Sequence, residues 1–333
     1  MKSKGGSRKS KGFCLKVILH PSSFILCCAL AAGASAQQYP AKPVRIITGF
    51  AGGSDLMARL MAQHLTPLLG QQVYVEPRLG AAGSIGFETV ARAAPDGYTL
   101  LQGAVPLLTN PFIQAKVNFD PMRDFAPIAL LSTIPNGLFV HPTVPAKSLK
   151  ELIALARKSP GKIAYGSGGV GSANHLAGEF LQSLAKVKFT HVPYKSATLG
   201  IAGAMSGDVD MVITVVSSGV AYVKDGRMRG LAVLDDKRSE SMPDVPTAAE
   251  QGYKDLKAVN WYALLAPAGT PPPVIERLHA ASIKVITNPD IQSRLRSMGG
   301  EPATLSPQQT TAFLKAEYER WGRVIREAGI KAE

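Results

Sequence analysis

The sequence predicts an α/β protein whose helices flank mainly parallel sheets, with two sheets of roughly five strands suiting the length better than one very large sheet. Short apolar runs alternate with segments of helical period along the chain, and glycine-rich turns stand where a run gives way to a helix. With 333 residues, 46% hydrophobic and 18% charged, the chain has room for one or two packed cores. It lacks the polarity of a disordered chain and the glycine period of a fibrous one.

In chain order, Pro43-Val44-Arg45-Ile46-Ile47-Thr48 is an apolar run ending at glycine, a buried strand. Ser54 or Asp55 can cap the helix that follows, where Leu56, Met57, Leu60, Met61, Leu65 and Leu68 recur at helical spacing until Gly70 stops it. Val73-Tyr74-Val75 is the next strand. A short helix over 85–93 closes at the Pro95-Asp96-Gly97 turn, and a third strand covers 98–101. A second series opens with a strand over 138–141. Ser148-Leu149-Lys150-Glu151 then reads as a capping box opening a helix through Lys158. Strands are expected over 163–165, 188–194, 209–214 and 230–234, with helices over 174–186, 197–206 and 218–225. Thr247-Ala248-Ala249-Glu250 is a further capping box, and 261–265 a final apolar strand. Three helices over 272–287, 289–298 and 307–328 close the chain.

The first 36 residues carry an address. Six of the chain's 37 Lys and Arg and none of its acids lie there. An apolar run over 24–32 and Ala34-Ser35-Ala36 complete the pattern of a cleaved export signal, giving a mature start at Gln37. His20-Pro21-Ser22-Ser23 interrupts the apolar stretch, which falls short of the ~20 residues of a membrane span. A lipid anchor fits poorly, because Leu26 and Cys27 stand where a small residue is wanted before the two candidate cysteines. Cys14, Cys27 and Cys28 all fall inside this segment, so the mature chain offers neither disulfides nor thiolate metal ligands. Of the formal net charge of +13, +7 belongs to the remainder. That surplus, without arginine clusters, argues against nucleic acid as a partner. The mature protein is expected outside the cytoplasm and unanchored.

Three glycine-rich turns sit between a strand and a helix: Gly49-Phe50-Ala51-Gly52-Gly53-Ser54-Asp55, Gly80-Ala81-Ala82-Gly83-Ser84, and Gly166-Ser167-Gly168-Gly169-Val170-Gly171-Ser172. In parallel sheets such turns gather at the carboxyl ends of strands, where free amides and helix dipoles favour an anion. The third turn matches G-x-G-x-x-G, but no Asp or Glu occurs between Glu179 and Asp208 to bind a ribose, which argues against a dinucleotide. No turn carries the Lys-Ser/Thr of a P-loop. Ala82-Gly83-Ser84-Ile85-Gly86 resembles a nucleophile elbow but lacks the strand-to-helix setting, so Ser84 reads as a helix cap. The histidines show no metal spacing. His175, in the first turn after a glycine loop, is the one placed to hydrogen-bond a ligand. Trp261 reads as core. Neither a catalytic residue, a metal nor a cofactor is expected.

Taken together, several stretches resemble the receptors of tripartite tricarboxylate transporters, the Bug-type extracytoplasmic solute receptors. The resemblance covers residues 39–333. Its marks include Tyr39-Pro40-Ala41-Lys42-Pro43-Val44-Arg45, Ser54-Asp55-Leu56-Met57-Ala58-Arg59-Leu60, and Ala93-Ala94-Pro95-Asp96-Gly97-Tyr98-Thr99-Leu100-Leu101. Others are His175-Leu176-Ala177-Gly178-Glu179, His191-Val192-Pro193-Tyr194-Lys195 and Leu264-Leu265-Ala266-Pro267-Ala268-Gly269-Thr270-Pro271. The resemblance implies a two-lobed periplasmic-binding fold of type II, a Venus flytrap. Lobe one would comprise 37–138 plus 261–333, and lobe two 139–260. It implies a small organic acid in the cleft (a mono-, di- or tricarboxylate, an amino acid or an aromatic acid) delivered by a monomeric periplasmic receptor to membrane permease subunits.

Carried over by position, the ligand would meet Phe50, Ala51, Gly52, Gly53, Ser54, Asp55, Gly83, Ser84, Ala104 and Val105 in the first lobe. In the second it would meet Ser167, Ser172, Ala173, Asn174 and His175. The chain departs from the family pattern in a shorter first glycine loop, in Ile213-Thr214 where Asp-Asn is common, and in Ser196-Ala197 where glycine is common after Lys195. Two other readings use the same residues: a receptor reporting to a membrane sensor kinase, and a periplasmic serine hydrolase using Ser84 or Ser172 with His175.

Overall fold

A long central strand organises the molecule. The computed structural model describes residues 39–51, 53–297 and 299–331; the expected signal segment, with its cysteines and cleavage site, lies outside them. From Lys42 onward the described residues pack as one unit. Its first elements are β1 (Val44–Thr48), α1 (Gly53–Leu69), β2 (Val73–Pro77), α2 (Ser84–Ala91), β3 (Thr99–Gly103), α3 (Pro106–Ile113) and β4 (Phe125–Val140). There follow α4 (Leu149–Lys158), β5 (Ala164–Ser167), α5 (Ala173–Ala185), β6 (Thr190–Pro193), α6 (Ala197–Ser206), β7 (Met211–Val215), α7 (Val216–Lys224) and β8 (Arg229–Val233). The chain closes with β9 (Val259–Pro267), α8 (Pro272–Ile286), α9 (Pro289–Ser297), β10 (Glu301–Pro302) and α10 (Pro307–Ala328).

The sheet runs β2-β1-β3-β9-β4-β7-β5-β6, with β8 and β10 also paired to β4. The outer strands are parallel, as the βα alternation predicts: β1 to β2 and β3, and β5 to β6 and β7. The centre departs from a mainly parallel sheet. β9 runs antiparallel to β3 and β4, and β4 antiparallel to β7, β8 and β10. Residues 125–135 of β4 pair with β9, whereas 136–140 pair with β7 and β8, so one strand belongs to both halves. The sequence marks only the end of this 16-residue strand. Its first part is buried on both faces, which erases alternation, and it contains Pro127 and Pro135. A register shift between Pro127 and Ala129 accommodates the first proline.

Local starts also differ from expectation. Helix α1 begins at Gly53, so Ser54 is inside the first turn, its Oγ 3.4 Å from Thr48 Oγ1. Gly83, not Ser84, precedes α2, and it offers no side chain for a cap. Helix α3, absent from the sequence reading, begins with Pro106, whose fixed φ suits a first helical position and whose missing N–H costs nothing there. The Thr247–Glu250 box forms both bonds, at 3.1 and 2.6 Å, yet opens only a single 3-10 turn.

Separate apolar cores lie under the two sheet halves. Ile47, Phe87, Leu101, Val105 and Leu130 belong to the first, and Leu138, Tyr165, Leu176 and Leu181 to the second. Helix α10 serves both: Leu314 enters the first core, and Trp321, Val324 and Ile325 enter the second. Its capping box is complete, with Ser306 Oγ accepting from Gln309 N at 3.1 Å and Gln309 Oε1 accepting from Ser306 N at 2.9 Å.

Candidate functional site

At the crossing between the sheet halves lies a cavity of about 460 Å³. The turns that follow β1, β3 and β5 at their carboxyl ends reach it, each leading into a helix. Gly53 and Ser54 bring the start of α1, Val105 and Pro106 the start of α3, and Ser172 and Ala173 the start of α5. First-turn amides precede the intrahelical ladder and carry the positive end of the helix dipole. Helix α3 offers its dipole more than its amides, since Pro106 has no N–H and Leu107 and Leu108 donate to Ala104 O and Val105 O at 2.9 and 3.0 Å. Among the described residues, no Lys, Arg, His, Asp or Glu lines the space. Its electrostatic character is therefore set by backbone dipoles and neutral polar groups.

The rest of the lining is apolar through Phe50, Ile113 and Val170, and polar through Asn260 and Tyr262 of β9. The Tyr262 hydroxyl lies so close to α1 that a Cβ on Gly53 would stand 2.5 Å from it. Burial raises the Tyr262 phenol above its ordinary value, so the hydroxyl remains a proton donor. Trp261, between Asn260 and Tyr262 in β9, also borders the cavity but is wholly buried, its ring edge-on to Phe313 at 6.3 Å.

Two amide side chains of α3 and its end, the buried Asn110 and the half-buried Gln114, hold the second turn. Asn110 Nδ2 donates to Ala82 O at 2.8 Å and to Ser84 Oγ at 3.0 Å, and Gln114 Nε2 donates to Ala81 O at 3.0 Å. Both alanines sit in the left-handed region, at φ 47° and 49°. Such a backbone persists where its surroundings fix it. This turn packs main chain to main chain against the first: a Cβ on Gly49 would come within 2.7 Å of Gly83 Cα.

Of the residues expected at a ligand, Phe50, Ala51, Gly53, Ser54, Ala104, Val105, Ser172 and Ala173 line the cavity. Gly52 lies outside the described residues. Others face elsewhere. Asp55 pairs with Arg59 at 2.7 Å one helical turn on. Gly83 lies beneath Phe50, and Ala82 takes the place at the cavity expected of it. Ser84 is buried, its hydroxyl donating to Gln114 Oε1 at 3.0 Å. Asn174 Nδ2 donates to Ile213 O at 2.7 Å. Ser167 and His175 lie behind the third turn: Ser167 Oγ bonds His191 Nε2 at 2.7 Å, and His175 Nδ1 accepts from Gly171 N at 3.1 Å. These side chains turn inward because a capped helix start or a strand end satisfies them locally.

The hydroxyl of Ser172 takes the His175 backbone N–H at 3.3 Å, so neither Ser84 nor Ser172 meets an imidazole as a nucleophile meets its base. No group of three or more His, Cys, Asp or Glu among the described residues is placed to hold a metal ion. No helix among them is long and apolar enough to cross a membrane.

Sequence reading missed Tyr262, Asn260, Asn110, Gln114 and Ile113. For the first two a signal existed: along β9, Asn260 and Tyr262 alternate with the wholly buried Val259 and Trp261. That period of two sends them to one face. The residues on α3 could not be placed without knowing that α3 exists.

Two lobes joined through a shared strand, with helix starts from both meeting at one uncharged cavity, define a solute-binding protein of the α/β type. The chain belongs to the tripartite tricarboxylate transporter family of receptors, whose family description, "Tripartite tricarboxylate transporter family receptor", matches residues 57–330. It is 33% identical over 312 residues to protein BugT of Bordetella pertussis, covering 92% of this chain and 96% of that one. Among solved structures it resembles R. palustris Rpa4515 with adipate, at 30% identity and a TM-score of 0.75, over 88% of this chain and 100% of the other. It also resembles MatC from Rhodopseudomonas palustris with bound malate, at 29% identity and a TM-score of 0.71, over 86% and 100%.

Proposed function

We propose that this chain is an exported receptor that captures a small organic carboxylate in the cavity and delivers it to the permease of a tripartite tricarboxylate transporter. One observation carries the reading: three helix starts, from both sheet halves, converge on a space without a charged side chain. A carboxylate there is held by first-turn amides and by neutral hydroxyls such as those of Ser54, Ser172 and Tyr262. Each helix start contributes about 0.3–1 kcal/mol at a surface and up to ~2 when partly buried. Charge-assisted hydrogen bonds strengthen as water is excluded. Phe50, Val105, Ile113 and Val170 suit the hydrocarbon part of the acid.

Holding the anion without a fixed counter-charge keeps binding moderate, which suits a carrier that must release its cargo. The lobes hinge where the sheet changes partners, at 135–136 in β4 and at the entry to β9. These positions adjoin the lobe limits 37–138 with 261–333, and 139–260. Residues 1–36 act as a cleaved export signal, and the mature protein works in the periplasm as a monomer. The adipate and malate held by the related structures support the ligand class.

Isothermal titration with mono-, di- and tricarboxylates, amino acids and aromatic acids tests the ligand. Binding of at least one acid is expected. Silence across the acids, with an amine or sugar bound instead, would defeat the proposal.

A further inference from the structure

The geometry points to His175 as a positioning residue, which grips the 168–172 turn from behind and so holds Gly168, Val170, Gly171 and Ser172 at the cavity. The inference rests on the carboxylate reading of that cavity. The grip is direct: Nδ1 of His175 accepts the Gly171 N–H at 3.1 Å. A bond in this sense requires an unprotonated Nδ1, so the neutral ring carries its proton on Nε2.

The turn depends on outside support. Gly169 and Gly171 lie at φ 110° and 75°, where glycine alone is at ease and where the unfolded chain has most freedom to lose. A second hold comes through His191, whose Nε2 lies 2.7 Å from Ser167 Oγ, which in turn accepts the Gly169 N–H at 3.1 Å. The two imidazoles stack with centroids 4.0 Å apart and planes 23° apart. Two side chains from α5 and β6 thus brace a turn that bears no charged group of its own.

The bracing is conditional on protonation. Around the His175 ring stand Glu179 of its own helix, with Oε1 3.7 Å from Nε2, His191 of β6, and Tyr165 of β5. The Tyr165 hydroxyl donates to Glu179 Oε1 at 2.7 Å and to His175 O at 3.5 Å. Burial and then the neighbouring His191 press His175 down to about 4. Burial also lowers His191 and raises Tyr165. At neutral pH the ring is therefore in the state the turn needs. A proton on Nδ1 would set N–H against N–H and release Gly171. His191 is more tolerant: once charged, its Nε2 can donate to Ser167 Oγ, which keeps a lone pair for Gly169.

The test compares the wild-type protein with His175→Asn and His175→Ala. In the Asn variant the side-chain oxygen can stand near the position of Nδ1 and accept from Gly171, but it does not titrate. The primary readout is amide exchange at Gly169 and Gly171 in the ligand-free protein, expressed as protection over the intrinsic rate near pH 7 and near pH 4. The Gly171 amide is expected to lose about tenfold in protection in His175→Ala near pH 7, one hydrogen bond's worth. Wild type should lose it near pH 4, and His175→Asn should keep it at both. Adipate titration near pH 7 should show affinity retained in the Asn variant and reduced about tenfold in the Ala variant.

Equal Gly171 protection in wild type and His175→Ala overturns the inference. So does a pH profile of His175→Asn that tracks wild type, which also serves if the Ala variant fails to fold. A protection pattern as expected, with adipate affinity unmoved, refutes the link to binding. If wild type binds neither adipate nor any other acid of the panel while the protection pattern holds, the grip on the turn is supported and the ligand reading is what has failed.

Discussion

Tyr262→Phe is a substitution that separates binding from folding. Burial alone raises the phenol, and no hydrogen bond to another described residue contributes. Deleting the oxygen therefore removes little that the ligand-free fold uses, and the ring remains to fill its place beside Gly53. The expected change in unfolding free energy is within ~0.5 kcal/mol, as for substitutions that break no internal bond. Against a bound carboxylate the same oxygen provides a hydrogen bond to a charged acceptor, worth about 1.5–3 kcal/mol, or roughly ten- to a hundredfold in Kd. Isothermal titration of the acid that binds wild type most tightly, beside urea unfolding of both ligand-free proteins, measures the two quantities. Wild-type affinity in Tyr262→Phe would refute the argument, and so would a loss of stability above ~2 kcal/mol, because the hydroxyl would then be a structural group.

Three further outcomes follow from the geometry. Acidification should destabilise the fold through His175: its folded value of about 4 lies below the ordinary 6.5. The unfolded chain takes up this proton from pH 6.5 downward and the native chain only near 4, so stability falls across that window by about 3 kcal/mol. Urea unfolding near pH 7 and near pH 4 should show a smaller difference in His175→Asn than in wild type, and parallel losses would exclude His175 as the cause. Asn110→Ala frees the 81–84 turn by removing both of its Nδ2 hydrogen bonds. It should cost about 2 kcal/mol at about 1 per bond, seen as a lower urea midpoint with an unchanged slope, and should also weaken acid binding. Gly178→Ala would drive a Cβ to 2.4 Å from Tyr165 Cε2 inside the second core. Overpacking of this kind costs about 1–3 kcal/mol and should lower Tm in calorimetry, whereas an unchanged Tm would mean that Tyr165 yields without cost.

The sequence by itself determined the alternation of strands and helices, the glycine turns and their exclusion of nucleotide sites, and the family. Each is written in neighbouring residues: periodicity from Leu56 to Leu68, a helix stopped at Gly70, a missing acid after Glu179. It could also nominate Phe50, Gly53, Ser54, Ser172 and Ala173 for the cavity, because the start of a helix after a glycine turn is a local fact. Only the tertiary structure decided that Asp55, Ser84, Ser167, Asn174 and His175 turn away from it. A polar side chain goes to whichever partner is nearest, and for these the partners are Arg59, Gln114, His191, Ile213 O and Gly171 N. Some of those partners are remote in sequence. The same holds for Tyr262, Asn110 and Ile113, which reach the cavity from β9 and α3, and for β4, whose two parts serve different halves of the sheet. Pairing between distant strands follows from the burial of the whole sheet, and no local pattern in 125–140 encodes it.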